Sequence, residues 1–231
     1  MSFYVTGDTH GEIDLFKLNN IQFPQQELMT RSDYVLICGD WGGVWSGQSN
    51  EKWLLDWYAA RNFTTLVVLG NHENYDAIES QFPVVEWHGG KVRFIRENVI
   101  ILERGQVFEI DGRKIFVMGG AASIDKASRR EGISWWSREL PSYAEQEEAF
   151  KNLEAVNNKV DYVFTHTCPS ELIPIITGTK LGSRCFYDST ANLLLSIEKA
   201  IEFCGWYFGH FHCDKDMGRF HCRYETITLL W

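Results

Sequence analysis

Five short apolar runs constrain this chain more than any other feature. They are "FYVTGD" (3–8), "YVLICGD" (34–40), "TLVVLGNH" (65–72), "YVFTH" (162–166) and "WYFGH" (206–210). Each is nearly continuous in apolar and β-branched residues and then ends in polar ones, in most cases through a glycine. A strand buried on both faces reads this way, because side chains alternate between the faces and neither face can be polar. Segments of helical periodicity lie between the runs. Residues 50–61 carry Trp53, Leu54, Trp57 and Tyr58. Residues 142–157 start at Ser142 and place Phe150, Leu153 and Val156 on one face. Residues 188–202 open on Asp188-Ser189-Thr190, a cluster suited to capping.

Residues 84–119 break that alternation. "VVEWH", "KVRFI", "VIIL", "QVFEI" and "KIFVMGG" follow one another, with turns at Gly89-Gly90, Glu97-Asn98, Gly105 and Asp111-Gly112. Asp-Gly between alternating strands is a strong hairpin signal. The expectation is one α/β domain over 1–231, with two stacked sheets, helices outside, and parallel units flanking an antiparallel meander. Residues 120–141, "GAASIDKASRREGISWWSRELP", have no period. A loop of that length in a compact domain is usually functional.

At 231 residues the chain is long enough for a substantial core. Its 45% hydrophobic and 23% charged content match a globular protein. No apolar run approaches the roughly 20 residues that span a membrane. The first strand begins at once with no signal peptide before it, so a cytoplasmic location is expected. Cys38, Cys168, Cys185, Cys204, Cys213 and Cys222 form no C-x-x-C pair and read as free thiols of a reducing compartment. A net charge of −9 argues against stable binding to duplex nucleic acid. Bound divalent cations would offset part of that charge locally.

In parallel α/β sheets, ligands bind beyond the carboxyl ends of the strands. Here those ends carry Asp8, His10, Asp40, Asn71, His72, His166, His210 and His212. Of the seven histidines only His88 and His221 lie elsewhere. Asp8 and His10, two apart on an extended segment, point to the same side. Imidazole, carboxylate and amide oxygen suit Mn, Fe or Zn. So many ligands would over-supply one ion, whereas two ions sharing a bridging carboxylate would use them. Paired ions about 3.5–4 Å apart are the recurring arrangement for phosphate-ester hydrolysis, where they clamp phosphoryl oxygens and make a bound water nucleophilic. A second metal reading is a structural zinc site in "GHFHCDKDMGRFHC", which repeats His-Cys at 212–213 and 221–222. Its spacing matches no usual zinc ribbon and it would leave His210 without a role.

The ordered motifs "GDTHG", "GDWGG", "GNHE", "THTCP" and "GHFH" resemble those of the calcineurin-like metallophosphoesterase superfamily and span residues 7–212. The resemblance implies an α/β/β/α sandwich of two mixed sheets. It implies that Asp8, His10 and His212 hold one metal ion, that Asn71, His166 and His210 hold the other, and that Asp40 bridges them with a water or hydroxide as second bridge. His72 would face the substrate, stabilising the phosphoryl group or protonating the leaving oxygen. One departure is visible. Many relatives continue G-D with x-x-D-R, and here Gly43 and Val44 stand in those places. That lowers a serine/threonine protein phosphatase assignment. The full G-H-x-H is closer to the phosphodiesterase, nuclease and nucleotidase branches.

The expected function is therefore a phosphoesterase with two divalent or trivalent ions, hydrolysing mono- or diesters by attack of a metal-bridging hydroxide. Its substrate would be a small phosphorylated molecule such as a nucleotide. A catalytically silent binding or scaffold protein on the same fold, or a protein phosphatase, are the alternatives. Val44 cannot supply the missing Arg, and a guanidinium fork suits phosphate oxygens. Arg129 or Arg130 in the long loop is expected to reach the phosphate instead, and Asp125 is expected to orient His72. The tryptophans of "WGGVW" and "SWW" either stack a base or pack loops onto the domain, with packing preferred.

Overall fold

The computed structural model describes residues 1–45, 49–179 and 188–231. Cys185 lies outside these residues. In chain order the strands are β1 (Phe3–Thr6), β2 (Tyr34–Cys38), β3 (Thr64–Val68), β4 (Val84–Trp87), β5 (Gly90–Arg96), β6 (Val99–Leu102), β7 (Gln106–Ile110) and β8 (Arg113–Met118). They continue as β9 (Tyr162–Thr165), β10 (Gly205–Phe208), β11 (Lys215–Met217), β12 (Phe220–Cys222) and β13 (Thr228–Leu229). All five apolar runs are strands. Among the described residues they form two sheets, ordered β13-β1-β2-β3-β6-β5-β4 and β11-β12-β10-β9-β8-β7. Both are mixed. β1, β2, β3 and β6 are mutually parallel in one sheet, and β8, β9, β10 and β12 in the other.

Strand alternation builds the layers. Tyr34, Leu36 and Cys38 of β2 face the second sheet and pack with Phe108, Ile115, Val117 and Phe164. Val35 and Ile37 face outward onto Leu54, Leu55 and Tyr58 of helix α1 (Ser49–Ala59). On the far side, Phe116, Val163, Trp206 and Phe208 pack beneath two helices. These are α3 (Tyr143–Ala155), which supplies Ala149 and Leu153, and α5 (Ser189–Ala200), which supplies Leu194 and Ile197. The result is the α/β/β/α sandwich. Ser142 starts α3 with a full capping box to Glu145, and the Asp188 side chain caps α5 by accepting the Thr190 N–H.

The stretch 84–119 is not one continuous meander. β4, β5 and β6 complete the first sheet, and β7 and β8 pair in the second. The chain changes sheets through Glu103–Gly105. Gly105 has φ of +70°, and a Cβ there would stand 3.0 Å from Ala149 of α3, so the crossing needs glycine twice over. The seven-residue helix α2 (Tyr75–Gln81), capped by Asn74, the five-residue helix α4 (Ile173–Thr177) and the short strands β11, β12 and β13 were not anticipated from the sequence. No helix among the described residues is long and apolar enough to cross a membrane. Cys38, Cys168, Cys204, Cys213 and Cys222 are free thiols.

Candidate metal centre

The polar ends of β1, β2 and β3 from one sheet and of β9 and β10 from the other converge. His10, Asp40, His210 and His212 all take positive φ, at 44°, 45°, 69° and 48°. Non-glycine residues are uncommon there, and such strain clusters at functional sites. Close approach explains the motif glycines. A Cβ on Gly70 would lie 2.1 Å from Asp40 Oδ1, and one on Gly209 would lie 2.1 Å from Asp8 Oδ1.

Two sets of ligating atoms result, Asp8 with His10 and His212, and Asp40 with His166 and His210. In the first, His212 Nε2 lies 3.2 Å from Asp8 Oδ2. In the second, His166 Nε2 lies 3.3 Å from Asp40 Oδ1, 3.0 Å from Asn71 Oδ1 and 3.2 Å from His210 Nδ1. Asp40 turns its other oxygen, Oδ2, to His10 Nε2 at 3.5 Å. It therefore faces both sets.

The donor inventory shows what these sets fit. His166 Nδ1–H is donated to the Cys38 carbonyl at 2.9 Å, and His10 Nδ1 pairs with Asp14 Oδ2 at 2.8 Å. In its neutral form each ring then points the lone pair of Nε2 into the site. Around His166 Nε2 the other nearby atoms are a carboxylate oxygen, an amide oxygen and a further ring nitrogen. Four electron-rich atoms converge, three of them on buried residues, and a cation would satisfy them together.

Electrostatics agrees. Burial opposes charge on His166, but Asp40 and Asp8 push its pKa up to about 10. Burial opposes charge on His10 too, and its bonds to Asp40 and Asp14 push it up to about 9. Burial, helped by the neighbouring His166, lowers His210 to about 4. Although burial works against it, Asp40 is held well below the usual carboxylate range by His166 and His10. The centre is built to hold positive charge.

Beside it opens a cavity of about 500 Å³, lined among others by Asn71, His72, Ile124, Arg129 and Phe211. Arg129 places Nη1 3.2 Å from His72 Nδ1 and Nη2 3.2 Å from His72 Nε2. Asp125 holds that guanidinium, with Oδ2 2.8 Å from Nε and 2.7 Å from Nη2. Asp125 therefore does not orient His72 directly; it reaches the ring only through Arg129. Burial and the Arg129 charge lower the His72 pKa against the pull of Asp40. Arg130 is exposed and does not line the cavity.

The structural-zinc reading is not supported. His212 faces Asp8, whereas His221 Nδ1 pairs with Asp216 at 2.7 Å. Cys213 and Cys222 contact each other at 3.9 Å between sulfurs, and no third ligand joins them among the described residues. The tryptophans pack. Trp41 and Trp136 are buried, Trp45 meets Trp136 edge-on at 5.2 Å, and Trp136 Nε1–H donates to Asp76 at 2.9 Å.

Residues 1–214 match the family model for calcineurin-like phosphoesterases. The chain belongs to that family. Among solved structures the phosphoesterase is similar to a putative 5'-nucleotidase from Staphylococcus aureus in complex with alpha-ketoglutarate. The identity is 16% and the TM-score 0.51, over 96% of this chain and 48% of that one. The phosphoesterase thus spans about half the length of that protein. A phosphopantetheinyl hydrolase (PptH) from Mycobacterium tuberculosis matches at 16% identity and TM-score 0.37, over 97% of this chain and 90% of that one. At 16% identity and a TM-score of 0.51, the likeness to the nucleotidase is one of fold alone. No curated protein matches the sequence. The phosphoesterase's two ligand sets suit metal ions.

Several residues that shape the phosphoesterase's centre escaped the sequence reading. Asp14 fixes His10 and also accepts the Tyr224 hydroxyl at 3.0 Å. The Tyr224 ring lies nearly parallel to His212, 4.8 Å between centroids. Glu73, fully buried, accepts the N–H groups of Trp41 at 2.8 Å and Gly42 at 3.1 Å, which shapes the turn after Asp40. Its place in "GNHE" was the available signal.

Proposed function

We propose that this phosphoesterase hydrolyses a small phosphate mono- or diester with two cations, one in each ligand set. The observation that carries the reading is Asp40, whose two oxygens face His166 in one set and His10 in the other. Asp8, His10 and His212 would hold one ion, and Asn71, His166 and His210 the other, with Asp40 between them. The donor set of imidazole, carboxylate and amide oxygen suits Mn, Fe or Zn. Cations there would neutralise phosphoryl oxygens and lower the pKa of a bound water. Arg129 lines the same cavity with a fork-shaped donor, and a phosphoryl group entering beside His72 would take hydrogen bonds from it. His72 lines that cavity as well and binds no cation in this reading, so its ring serves the substrate. Asp125 keeps the guanidinium aimed.

The test is turnover of para-nitrophenyl phosphate and of bis(para-nitrophenyl) phosphate by chelator-stripped protein, with and without added Mn²⁺. Metal-dependent release of nitrophenol supports the reading, and the ratio of the two rates assigns mono- or diesterase. A folded protein that binds Mn²⁺ and turns over neither ester would overturn it.

A further inference from the structure

Asn71 is the one amide proposed as a ligand in the second set, and an amide has two ends of nearly equal shape. Only Oδ1 can bind a cation; Nδ2 carries protons and cannot. Reversing the amide would turn Nδ2 into the centre, where it could not ligate a cation. Something must hold the ligating orientation against that.

Three buried groups form the hold. Asn71 Nδ2–H donates to Ser123 Oγ at 3.0 Å. Ser123 Oγ lies 2.6 Å from Glu139 Oε2, and Ser123 N–H donates to Glu139 Oε1 at 2.7 Å. A serine hydroxyl has one proton. With that proton given to Glu139, Ser123 Oγ can only accept, so it takes the amide N–H and rejects the amide oxygen. Asn71, Ser123 and Glu139 are 4%, 3% and 0% exposed, so water does not scramble the arrangement. Glu139 is itself anchored, since its backbone carbonyl accepts from Arg104 Nη2 at 3.1 Å. The same two bonds close the loop 120–141 that carries Arg129.

We propose that Ser123 and Glu139 are positioning residues that hold Asn71 with its oxygen toward the cation, an inference that rests on the two-cation reading. The carboxylate orders the hydroxyl, the hydroxyl orders the amide, and the amide oxygen meets the ion. Outer groups of this kind typically contribute 10–100-fold to metal affinity.

The experiment is Mn²⁺ titration of chelator-stripped protein by calorimetry, with metal content after gel filtration as a check. Wild-type protein is expected to take two ions. Ser123→Ala should weaken one ion by about 10–100-fold and leave the other unchanged. Ser123→Thr, which keeps the hydroxyl, should restore the affinity. In an Asn71→Ala background, Ser123→Ala should cost nothing further, because its effect runs through the amide. Glu139→Gln should weaken the same ion; if that variant fails to fold, the Ser123 series decides alone. Ser123→Ala with two ions at wild-type affinity, or with a full additional loss in the Asn71→Ala background, overturns the inference. Wild-type protein taking fewer than two ions would instead overturn the two-cation reading from which it starts.

Discussion

Asp14 holds two aromatic rings at once: Oδ2 pairs with His10 Nδ1 at 2.8 Å and Oδ1 accepts the Tyr224 hydroxyl at 3.0 Å. Because Tyr224 lies flat against His212, one carboxylate fixes both imidazoles of the first ligand set. Asp14→Asn removes the charge and makes half of these contacts donor against donor. It is expected to weaken one Mn²⁺ by about 10–100-fold and spare the other. Calorimetric titration reads this directly, and unchanged affinity at both sites would refute it.

Asp40 faces both sets, so its loss should not be local. Asp40→Asn is expected to weaken both ions together and to abolish turnover of either nitrophenyl ester. Metal analysis showing one site at full affinity would show that Asp40 serves a single ion.

His72 lines the cavity but stands outside both sets. His72→Ala should keep two Mn²⁺ per chain while slowing turnover by roughly 10²–10⁴, the range for a group acting on the reacting phosphate. Loss of an ion in this variant would reassign His72 as a ligand.

Arg129 and Arg130 are neighbours with opposite fates. Arg129→Ala is expected to raise KM or lower kcat with metal content and thermal midpoint unchanged. Arg130→Ala is expected to match wild type in all four. Equal effects of the two substitutions would remove the case for a specific Arg129 contact with phosphate. A structure with bound phosphate, read for a guanidinium within about 3.5 Å of an oxygen, checks the geometry.

The strands and their polar ends were legible because a strand buried on both faces has almost no freedom in its sequence, and its first polar residues mark where it leaves the core. Asp14 was not legible. It sits before a short 3-10 turn with no period, and Tyr224 is 210 positions away. The choice between Arg129 and Arg130 was equally hidden, since an irregular loop gives no face to count on; the bond from Asp125, four residues back, decides it. Helix α2 has seven residues, too few for a period to show. The turn at Gly105 was visible as a turn, but a sequence does not say whether the strands on either side pair with each other or part into different sheets.

Each ligand set straddles the sandwich. Asp8 and His10 leave β1 and meet His212 beyond β10, and Asp40 and Asn71 leave β2 and β3 and meet His166 and His210 beyond β9 and β10. The Asp8 carboxylate and the His210 N–H it accepts are 202 positions apart. Contacts this distant in the chain form late, after the intervening loop entropy has been overcome. Neither set exists while either sheet is unformed, so a cation would bind at full strength only after the two sheets have docked. Bound ions would stitch the sheets together and stabilise the assembled chain by mass action.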